Sequence, residues 1–327
     1  MSAVVHLSVR GLAAGYGGRQ AAGSAGRAGR SRAGVRDGGA GASVLAGVDF
    51  ELGAGECLAI VGRSGCGKST LLHVLAGLLP PTAGEVLVGG REVAAADWSA
   101  AGSPGCRSGH AAYMFQQDLL LPWKRVLANA VFAARVAPER QGGDLEERAA
   151  AILREFGLEA SMDALPRQLS GGMRQRVALA RTLMLDRGLV LLDEPFGSLD
   201  AFTRAEMRRW LLDVMETHPA TWVLVTHDVG EAVMLGDHVA VLRGHPACLQ
   251  GWTDVPLSRS ERRGLAAAEA GEEAGEEAGE EAGVGVGCSA CGASSGGASG
   301  GAGAALEKVA ALSARVRGLL GSAGTIP

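Results

Sequence analysis

The sequence is poor in aromatic residues, in excess charge of either sign and in long apolar runs. Aromatic side chains make up 4% of the 327 residues, and many of the 51 glycines fall in stretches that do not resemble a folded core. A formal net charge of −4 provides no basic field for sequence-independent binding of nucleic acid. No apolar run approaches the roughly 20 residues that a membrane helix requires. We therefore expect neither a nucleic-acid partner nor a membrane-spanning segment.

The 6 cysteines and the start of the chain indicate a reducing, cytosolic compartment. A chain of this length does not need disulfides, and Met1 to Gly11 lacks the basic-then-apolar pattern of a signal peptide. Cys288 and Cys291 invite a metal interpretation, but a zinc site requires four ligands and no second pair or histidine cluster follows them. We therefore interpret this pair as inert.

Composition divides the chain into a folded part and a low-complexity part. Residues 1–255 are expected to form one domain, interrupted at 19–43 by an insert of Gly, Ala, Ser and Arg that we interpret as a flexible surface loop. Residues 256–327 are expected to form a flexible tail with an acidic four-residue repeat over 270–283. Apolar residues at helical spacing predict a short helix near the end: Leu306, Val309, Leu312, Val316 and Leu319. We expect that helix to dock on its own domain, the alternative being a helix that binds a partner.

Between Cys57 and Leu242, short apolar strands alternate with helical stretches. Strands are predicted at 58–61, 189–192 and 222–225, a pattern typical of a largely parallel sheet flanked by helices. From about 111 to 181 the pattern is mainly helical, which predicts a helical subdomain inserted into the sheet domain. The fold class is therefore α/β with two lobes.

A glycine-rich loop follows the first of these strands and precedes a helix. It reads GxxxxGKS over Gly62, Arg63, Ser64, Gly65, Cys66, Gly67, Lys68 and Ser69, with Thr70 next in the helix. Glycines let successive backbone N–H groups face a phosphate at the positive end of the helix. We expect Lys68 to bridge the β- and γ-phosphates of a nucleotide, Ser69 to ligate Mg²⁺, and Cys66 to contribute only its backbone.

Two adjacent acids, Asp193 and Glu194, end a later apolar strand. Successive side chains of a strand point in opposite directions, so the two carboxylates can take different tasks. We expect Asp193 to face Mg²⁺ through water and Glu194 to orient or deprotonate the attacking water. Two acids at a strand end are often only solvated charges, but this pair accompanies a phosphate loop.

The segment from Leu169 to Arg176, LSGGMRQR, separates one family from other phosphate-loop ATPases. On this segment the chain resembles the ATPases of ABC transporters. The resemblance implies that Ser170, Gly171 and Gly172 begin a helix whose N-terminus binds the γ-phosphate held by an opposite subunit. It also implies a head-to-tail homodimer with ATP and Mg²⁺ as ligands.

Further family elements follow in the expected order over about residues 7–242. Tyr16 is similar to the aromatic residue that stacks on adenine, the alternative being an ordinary packing residue. Gln116 matches the glutamine that senses Mg²⁺ or the attacking water and links the two lobes. The segment ending at Asp200 resembles the loop that contacts the partner subunit, and His227 resembles the switch histidine near the γ-phosphate.

The resemblance implies a P-loop NTPase (RecA-like) core with a mostly parallel sheet, an antiparallel β subdomain and an inserted helical subdomain. The segment from Phe115 to Trp123, FQQDLLLPW, is similar to the nitrate, sulfonate, taurine and thiamine-pyrimidine group of importers. The resemblance then implies that the chain couples ATP hydrolysis to import of a small solute through a separate permease. A solute-binding protein delivers the solute to that permease. Its place is the cytoplasmic side of the membrane, as a peripheral subunit.

Other ABC ATPases fit the sequence less well. DNA-repair members split their motifs around a long coiled coil, which is missing between Lys68 and Asp193, and translation-type members carry two ATPase domains where the motifs here occur once. The alternative that stays open is a soluble ABC ATPase with a regulatory or assembly role.

Overall fold

The computed structural model describes residues 5–16, 42–93, 110–137, 144–266 and 299–321. Several regions discussed above lie outside these ranges. They are residues 19–41 of the insert, the acidic repeat over 270–283 and the pair Cys288 and Cys291.

Ten strands and eight helices are described. The strands are β1 (Val5–Tyr16), β2 (Ala42–Gly53), β3 (Cys57–Val61), β4 (Ala83–Val88), β5 (Arg91–Glu92), β6 (Ala111–Met114), β7 (Leu189–Asp193), β8 (Thr221–Thr226), β9 (His238–Gly244) and β10 (Ala247–Asp254). The helices are α1 (Lys68–Leu75), α2 (Val126–Val136), α3 (Leu145–Glu155), α4 (Gly171–Leu183), α5 (Ala201–Thr217), α6 (Val229–Leu235), α7 (259–266) and α8 (Ser299–Gly321). Two 3₁₀ turns, Glu159–Ser161 and Pro166–Gln168, precede α4.

The strands form one sheet in the order β5-β4-β1-β2-β10-β9-β3-β8-β7-β6. From β9 through β3, β8 and β7 to β6 every neighbouring pair is parallel, whereas β5, β4, β1 and β2 pair antiparallel. A single parallel pairing of β10 with β2 joins the two parts. The predicted fold class, a mostly parallel core with an antiparallel β part and an inserted helical part, is confirmed.

Strands β3, β7 and β8 are buried along their whole length, as expected for parallel strands covered on both faces. Side chains of β3 alternate between two cores: Ala59 and Val61 pack on the side of the inserted helices, and Leu58 and Ile60 on the side of α1. The carboxyl ends of these parallel strands therefore lie at one edge of the sheet, where ligands bind in open α/β folds.

The inserted helices α2, α3 and α4 pack against one another. Asp144 caps α3 by accepting hydrogen bonds from the backbone N–H groups of Glu146 and Glu147, and apolar residues at helical spacing bury Ile152 and Leu153. Gln116 and Asp118 follow β6 and lead from the sheet into this lobe. The lobe is thus attached next to the carboxyl ends of the central strands.

Beyond residue 255, two helices pack on the same cores. Met234 of α6 clusters with residues of α7 and α8, and Leu312 and Val316 of α8 join the core on the side of the inserted helices. Gly251 makes room for α8, since a Cβ there would lie 2.6 Å from Leu319 Cδ1. No helix among the described residues, the 23-residue α8 included, is long and apolar enough to span a bilayer. The division at residue 255 stays a prediction.

Asp237 holds α7 to the sheet. Its carboxylate accepts hydrogen bonds from the Cys57 backbone N–H, from Arg259 and from Arg262. Arg262 is 1% exposed and also donates to the Gly236 carbonyl at 2.6 Å. Burial by itself raises the pKa of Asp237, but the two guanidinium groups outweigh it and leave this pKa below its usual value.

We expect Asp237→Ala to lower the free energy of unfolding by about 3 kcal/mol at pH 7, because the buried Arg262 loses its counter-ion. The pKa of Asp237 is lower in the folded chain, so this stabilisation is present above the unfolded pKa of about 3.9 and disappears as the pH falls through the folded pKa. Urea unfolding from pH 7 to pH 3 measures both effects. Asp163→Ala, at an exposed ion pair, is the control, and an equal loss in both variants would contradict the prediction.

Candidate functional site

The glycine-rich loop connects β3 to α1 at the carboxyl edge of the sheet. Gly65 and Gly67 have φ angles of +79° and +107°, which only glycine adopts without strain. A Cβ on Gly62 would lie 2.6 Å from the Leu242 carbonyl oxygen. The glycines of the motif are therefore required by backbone conformation and by close packing, and the loop leads directly into the N-terminus of α1.

Lys68 lies at the start of α1 and is 5% exposed. Its Nζ donates to the carbonyl oxygens of Gly62 and Arg63, at 2.9 and 3.2 Å, and lies 3.6 Å from Glu194 Oε1. The ammonium group is therefore held by the loop that it closes. It also faces the Glu194 carboxylate across the site. A bound phosphate would replace that carboxylate as the anion beside the ammonium group.

Both oxygens of the Asp193 carboxylate are engaged at the end of β7. Ser69 Oγ donates to Oδ1 at 3.2 Å, and the Tyr113 hydroxyl donates to Oδ2 at 2.8 Å. Hydroxyl and carboxylate oxygens are the ligands that Mg²⁺ prefers, and that ion usually takes only one or two protein ligands besides water and substrate phosphates. Ser69 and Asp193 therefore fit a Mg²⁺ ion held together with a nucleotide. Within the described ranges no group of three or more His, Cys, Asp or Glu residues forms another metal site.

Glu194, the residue after Asp193, is the centre of a second group of contacts. Its φ angle is +45°, uncommon for a residue with a side chain, and its backbone N–H donates to the Val225 carbonyl at 2.9 Å. Its Oε2 accepts from Gln116 Nε2 at 3.3 Å and lies 3.2 Å from His227 Nδ1. Gln116 and His227, which are distant in sequence, thus meet at the Glu194 carboxylate because strands β6, β7 and β8 end side by side. Strand β6 occupies the start of the stretch from about 111 to 181 that the sequence pattern predicts to be mainly helical.

A cavity of about 390 Å³ lies between the glycine-rich loop and these side chains. Its lining residues are Tyr16, Val44, Ser64, Gly65, Gly67, Lys68, Ser69, Thr70, Gln116 and Glu194. Tyr16 is half exposed at the mouth, and its hydroxyl lies 3.4 Å from Thr70 Oγ1 and 3.5 Å from His73 Nδ1. Basic and hydroxyl groups at the floor and an aromatic ring at the mouth suit a nucleotide.

Arg63 and Cys66 do not line that cavity but a neighbouring one, with the end of β9 and Leu320 of α8. Burial raises the pKa of the Cys66 thiol, which keeps it protonated. The expected backbone role of Cys66 stays a prediction.

The segment that carries the family resemblance lies elsewhere on the surface. Ser170 caps α4 by accepting from the Met173 N–H at 3.2 Å. A Cβ added to Gly171 would lie 3.1 Å from a methyl group of Leu199, and one added to Gly172 would lie 3.0 Å from the methyl group of Thr203. Of the residues that the structure describes around the cavity, none belongs to this segment.

Asp200 lies beside that segment. It caps α5 by accepting from the Thr203 N–H at 2.9 Å, and this bond holds the pKa of Asp200 below its usual value. Asp200 thus forms a surface with the start of α4 and does not line the cavity of its own chain.

The segment after Gln116 is bonded to α4. Arg174 Nε donates to Asp118 Oδ2 at 3.1 Å, and Arg181 donates to the carbonyl oxygens of Asp118 and Leu119 at 2.6 and 2.7 Å. Burial lowers the pKa of Arg181, which nevertheless pairs with these carbonyls. These hydrogen bonds connect the segment after Gln116 to the helix that Ser170 caps.

The sequence interpretation assigned no role to Tyr113, which the structure places beside Asp193. Its ring packs against Phe115 and His73, and burial together with the charge of Asp193 raises the pKa of its hydroxyl. The hydroxyl therefore stays protonated and donates to Asp193. Its nearness to Gln116 in sequence was a signal, but only the pairing of β6 with β7 brings it to the acid.

Comparisons with known proteins agree with this geometry. A family described as ABC transporter matches residues 45–197. "Aliphatic sulfonates import ATP-binding protein SsuB 1" of Mesorhizobium japonicum is 43% identical over 225 residues, which cover 68% of this chain and 78% of that protein. An uncharacterized ABC transporter ATP-binding protein of Methanocaldococcus jannaschii is 41% identical over 66% of this chain and 76% of its own length. A solved dimeric ATP-binding cassette bound to ADP and Pi matches with a TM-score of 0.59 at 25% identity, over 77% of this chain and all of that one.

We expect Tyr113→Phe to raise the Mg²⁺ concentration needed for half-maximal ATP hydrolysis several-fold, because one oxygen of Asp193 loses its donor and the carboxylate can rotate. Hydrolysis measured against free Mg²⁺ at saturating ATP tests this. Tyr16→Phe is the control, since its hydroxyl does not contact Asp193. An unchanged Mg²⁺ requirement in Tyr113→Phe would contradict the assigned contact.

Proposed function

The chain belongs to the ATP-binding subunits of ABC transporters, with an importer ATPase as its activity, and on that premise we propose that two copies hydrolyse ATP between them to drive import of an aliphatic sulfonate or a related small solute. The observation that carries the catalytic part is the meeting of Lys68, Gln116 and His227 at the Glu194 carboxylate. Solute choice belongs to a separate permease and a solute-binding protein.

ATP is held by complementary charge and by stacking. The N–H groups of the glycine-rich loop and the Lys68 ammonium surround the β- and γ-phosphates, while the Tyr16 ring stacks on adenine at the mouth. Mg²⁺, held by Ser69 and Asp193 with Gln116 near it, would neutralise charge on the phosphate oxygens. Tyr113 fixes the direction of Asp193.

Hydrolysis follows from the position of Glu194. With ATP bound, Lys68 pairs with phosphate and leaves the carboxylate free to accept a proton from water. The water oxygen then forms a bond to the γ-phosphorus as the bond to the ADP oxygen breaks, giving ADP and phosphate. His227 and Gln116 hold the Glu194 carboxylate in position relative to the γ-phosphate. The left-handed backbone of Glu194 directs its side chain toward that phosphate.

The site of one chain is half of a complete site. Ser170, Gly171 and Gly172 present the N-terminus of α4 away from their own cavity, so they are placed to receive the γ-phosphate of a second copy. Asp200, beside them, would meet the partner's glycine-rich loop. The dimeric solved cassette, 25% identical to this chain, supports this assembly.

Coupling to a permease is supported by the surface of the inserted lobe. Three large apolar side chains that follow β6 are exposed, namely Phe115, Leu119 and Trp123, with Trp123 72% exposed. A patch of this kind marks an interaction site, and Arg174 and Arg181 link it to α4. We infer that a permease helix docks here on the cytoplasmic face of the membrane, so that closure of the ATP dimer moves the permease.

We expect Glu194→Gln to bind ATP but to lower hydrolysis by at least about a hundredfold, because an amide cannot accept the proton. The bound ATP then persists, and the variant elutes as a dimer in ATP and Mg²⁺ during gel filtration. Glu155→Gln, at an ion pair away from the cavity, is the matched control. A Glu194→Gln variant that hydrolyses ATP at the wild-type rate, or that fails to dimerise, would contradict the proposal.

We expect Trp123→Ala to lower solute uptake several-fold in cells that contain the cognate permease, since a buried aromatic anchor supplies much of an interface's affinity. Radiolabelled sulfonate uptake measures the effect. Trp252→Ala, which removes a less exposed tryptophan from β10, is the control. Normal uptake in Trp123→Ala, or ATP hydrolysis that never responds to a permease, would favour the soluble regulatory ATPase instead.

A further inference from the structure

Glu231, in α6, is a buried carboxylate outside the cavity. It is 4% exposed, and burial raises its pKa. The Thr226 hydroxyl donates to its Oε2, and Thr226 Oγ1 in turn accepts from the Asp228 N–H at 3.0 Å. Residue 227 lies between Thr226 and Asp228, so Glu231 orients the hydroxyl group that bonds across His227.

Arg204, in α5, faces the same carboxylate from the opposite side. Its Nε lies 3.8 Å from Glu231 Oε1, and its Nη1 lies 4.0 Å from Asp228 Oδ2. Its Nη2 donates to the Leu199 carbonyl at 2.9 Å. One guanidinium group therefore contacts both the loop that ends at Asp200 and the loop that holds His227.

The contact between Arg204 and Glu231 is incomplete in the free chain. The Nε of Arg204 is buried and has no hydrogen-bond acceptor within the part of the chain that the structure describes. A buried N–H without an acceptor is unfavourable, and the nearest carboxylate is slightly too far away to relieve it. A small shift of the Leu199 loop toward α6 would close this gap.

We propose that Arg204 is a positioning residue that joins the loop ending at Asp200 to the loop holding His227, so that a second copy contacting Asp200 holds His227 in its contact with Glu194 during hydrolysis. The proposal rests on the proposed function, because the contact at Asp200 is the one made in the ATP dimer. It assigns to Arg204 and Glu231 a part in the timing of hydrolysis, although neither lines the cavity.

The geometry favours arginine over lysine at this position. The guanidinium reaches the Leu199 carbonyl through one nitrogen and the Glu231 side through another, in a rigid planar fork. A lysine ammonium is a single point and cannot hold both partners, but it keeps a positive charge beside the buried carboxylate. Arg204→Lys therefore breaks the link and retains the charge that folding requires, whereas Arg204→Ala removes both.

The test compares Arg204→Lys, Arg204→Ala and the control Arg209→Ala, which alters an exposed arginine of the same helix. Affinity for a fluorescent ATP analogue, kcat for ATP hydrolysis and the thermal unfolding midpoint are measured for each. We expect Arg204→Lys to lower kcat about tenfold, within the range of coupled neighbours, with the ATP Kd changed less than about twofold. Arg209→Ala keeps the wild-type kcat.

A double-mutant cycle with His227→Ala separates positioning from general damage. If Arg204 acts through His227, adding Arg204→Lys to His227→Ala lowers kcat by less than about twofold further. Independent, multiplying losses overturn the proposal, as does an unchanged kcat in Arg204→Lys, or a kcat loss matched by equal loss of ATP affinity and of unfolding midpoint.

Failure of the proposed function is distinguishable in the same experiment. Wild-type chain that does not hydrolyse ATP, or Glu194→Gln that does not dimerise, would remove the premise. Active wild-type chain with a normal Glu194→Gln response, together with multiplying losses in the cycle, would overturn only the link through Arg204.

Discussion

The Glu194 carboxylate lies at the edge of the sheet with a side chain that is 16% exposed, and most of the site is arranged around it. In the free chain it lies 3.6 Å from Lys68 and within hydrogen-bond distance of Gln116 and His227. Each of these groups also suits a γ-phosphate. In the proposed mechanism, the γ-phosphate of ATP replaces the Glu194 carboxylate beside Lys68, and the carboxylate is then free to act on water.

The fold supplies this arrangement by ending parallel strands at one edge. The residues that follow β6, β7 and β8 are separated by tens of positions in sequence, yet neighbouring parallel strands place their carboxyl ends together. Packing on both faces of β3 fixes the sheet beneath the glycine-rich loop. At the opposite edge of the sheet, Asp237 holds α7 through hydrogen bonds from Arg259 and Arg262.

Half of the machinery is presented outward. Ser170 and Asp200 cap two helices beside each other, and neither contacts the cavity of its own chain. Hydrolysis in the proposed dimer thus depends on a second copy, which protects ATP from being consumed by a lone subunit. Arg174 contacts Asp118, next to the exposed apolar patch, and Arg204 contacts the Leu199 carbonyl. In the two proposals these contacts carry the effect of the second copy toward the patch and toward His227.

Sequence alone determined the elements whose chemistry is local. The glycine-rich loop and the capped segment at Ser170 have their hydrogen-bond partners within a few residues, so their composition and spacing suffice. The acid pair is recognised by its position directly after an apolar strand, and the alternating strands and helices determined the fold class. Tertiary structure decided what depends on distant pairs. Tyr113 meets Asp193 across 80 positions, and Arg204 meets Leu199 and Glu231 only once α5 and α6 pack together. The left-handed backbone of Glu194 and the docking of α8 against Gly251 belong to the same class. Side-chain contacts of this kind depend on which strands pair and which helices pack, and no local pattern of residues specifies that.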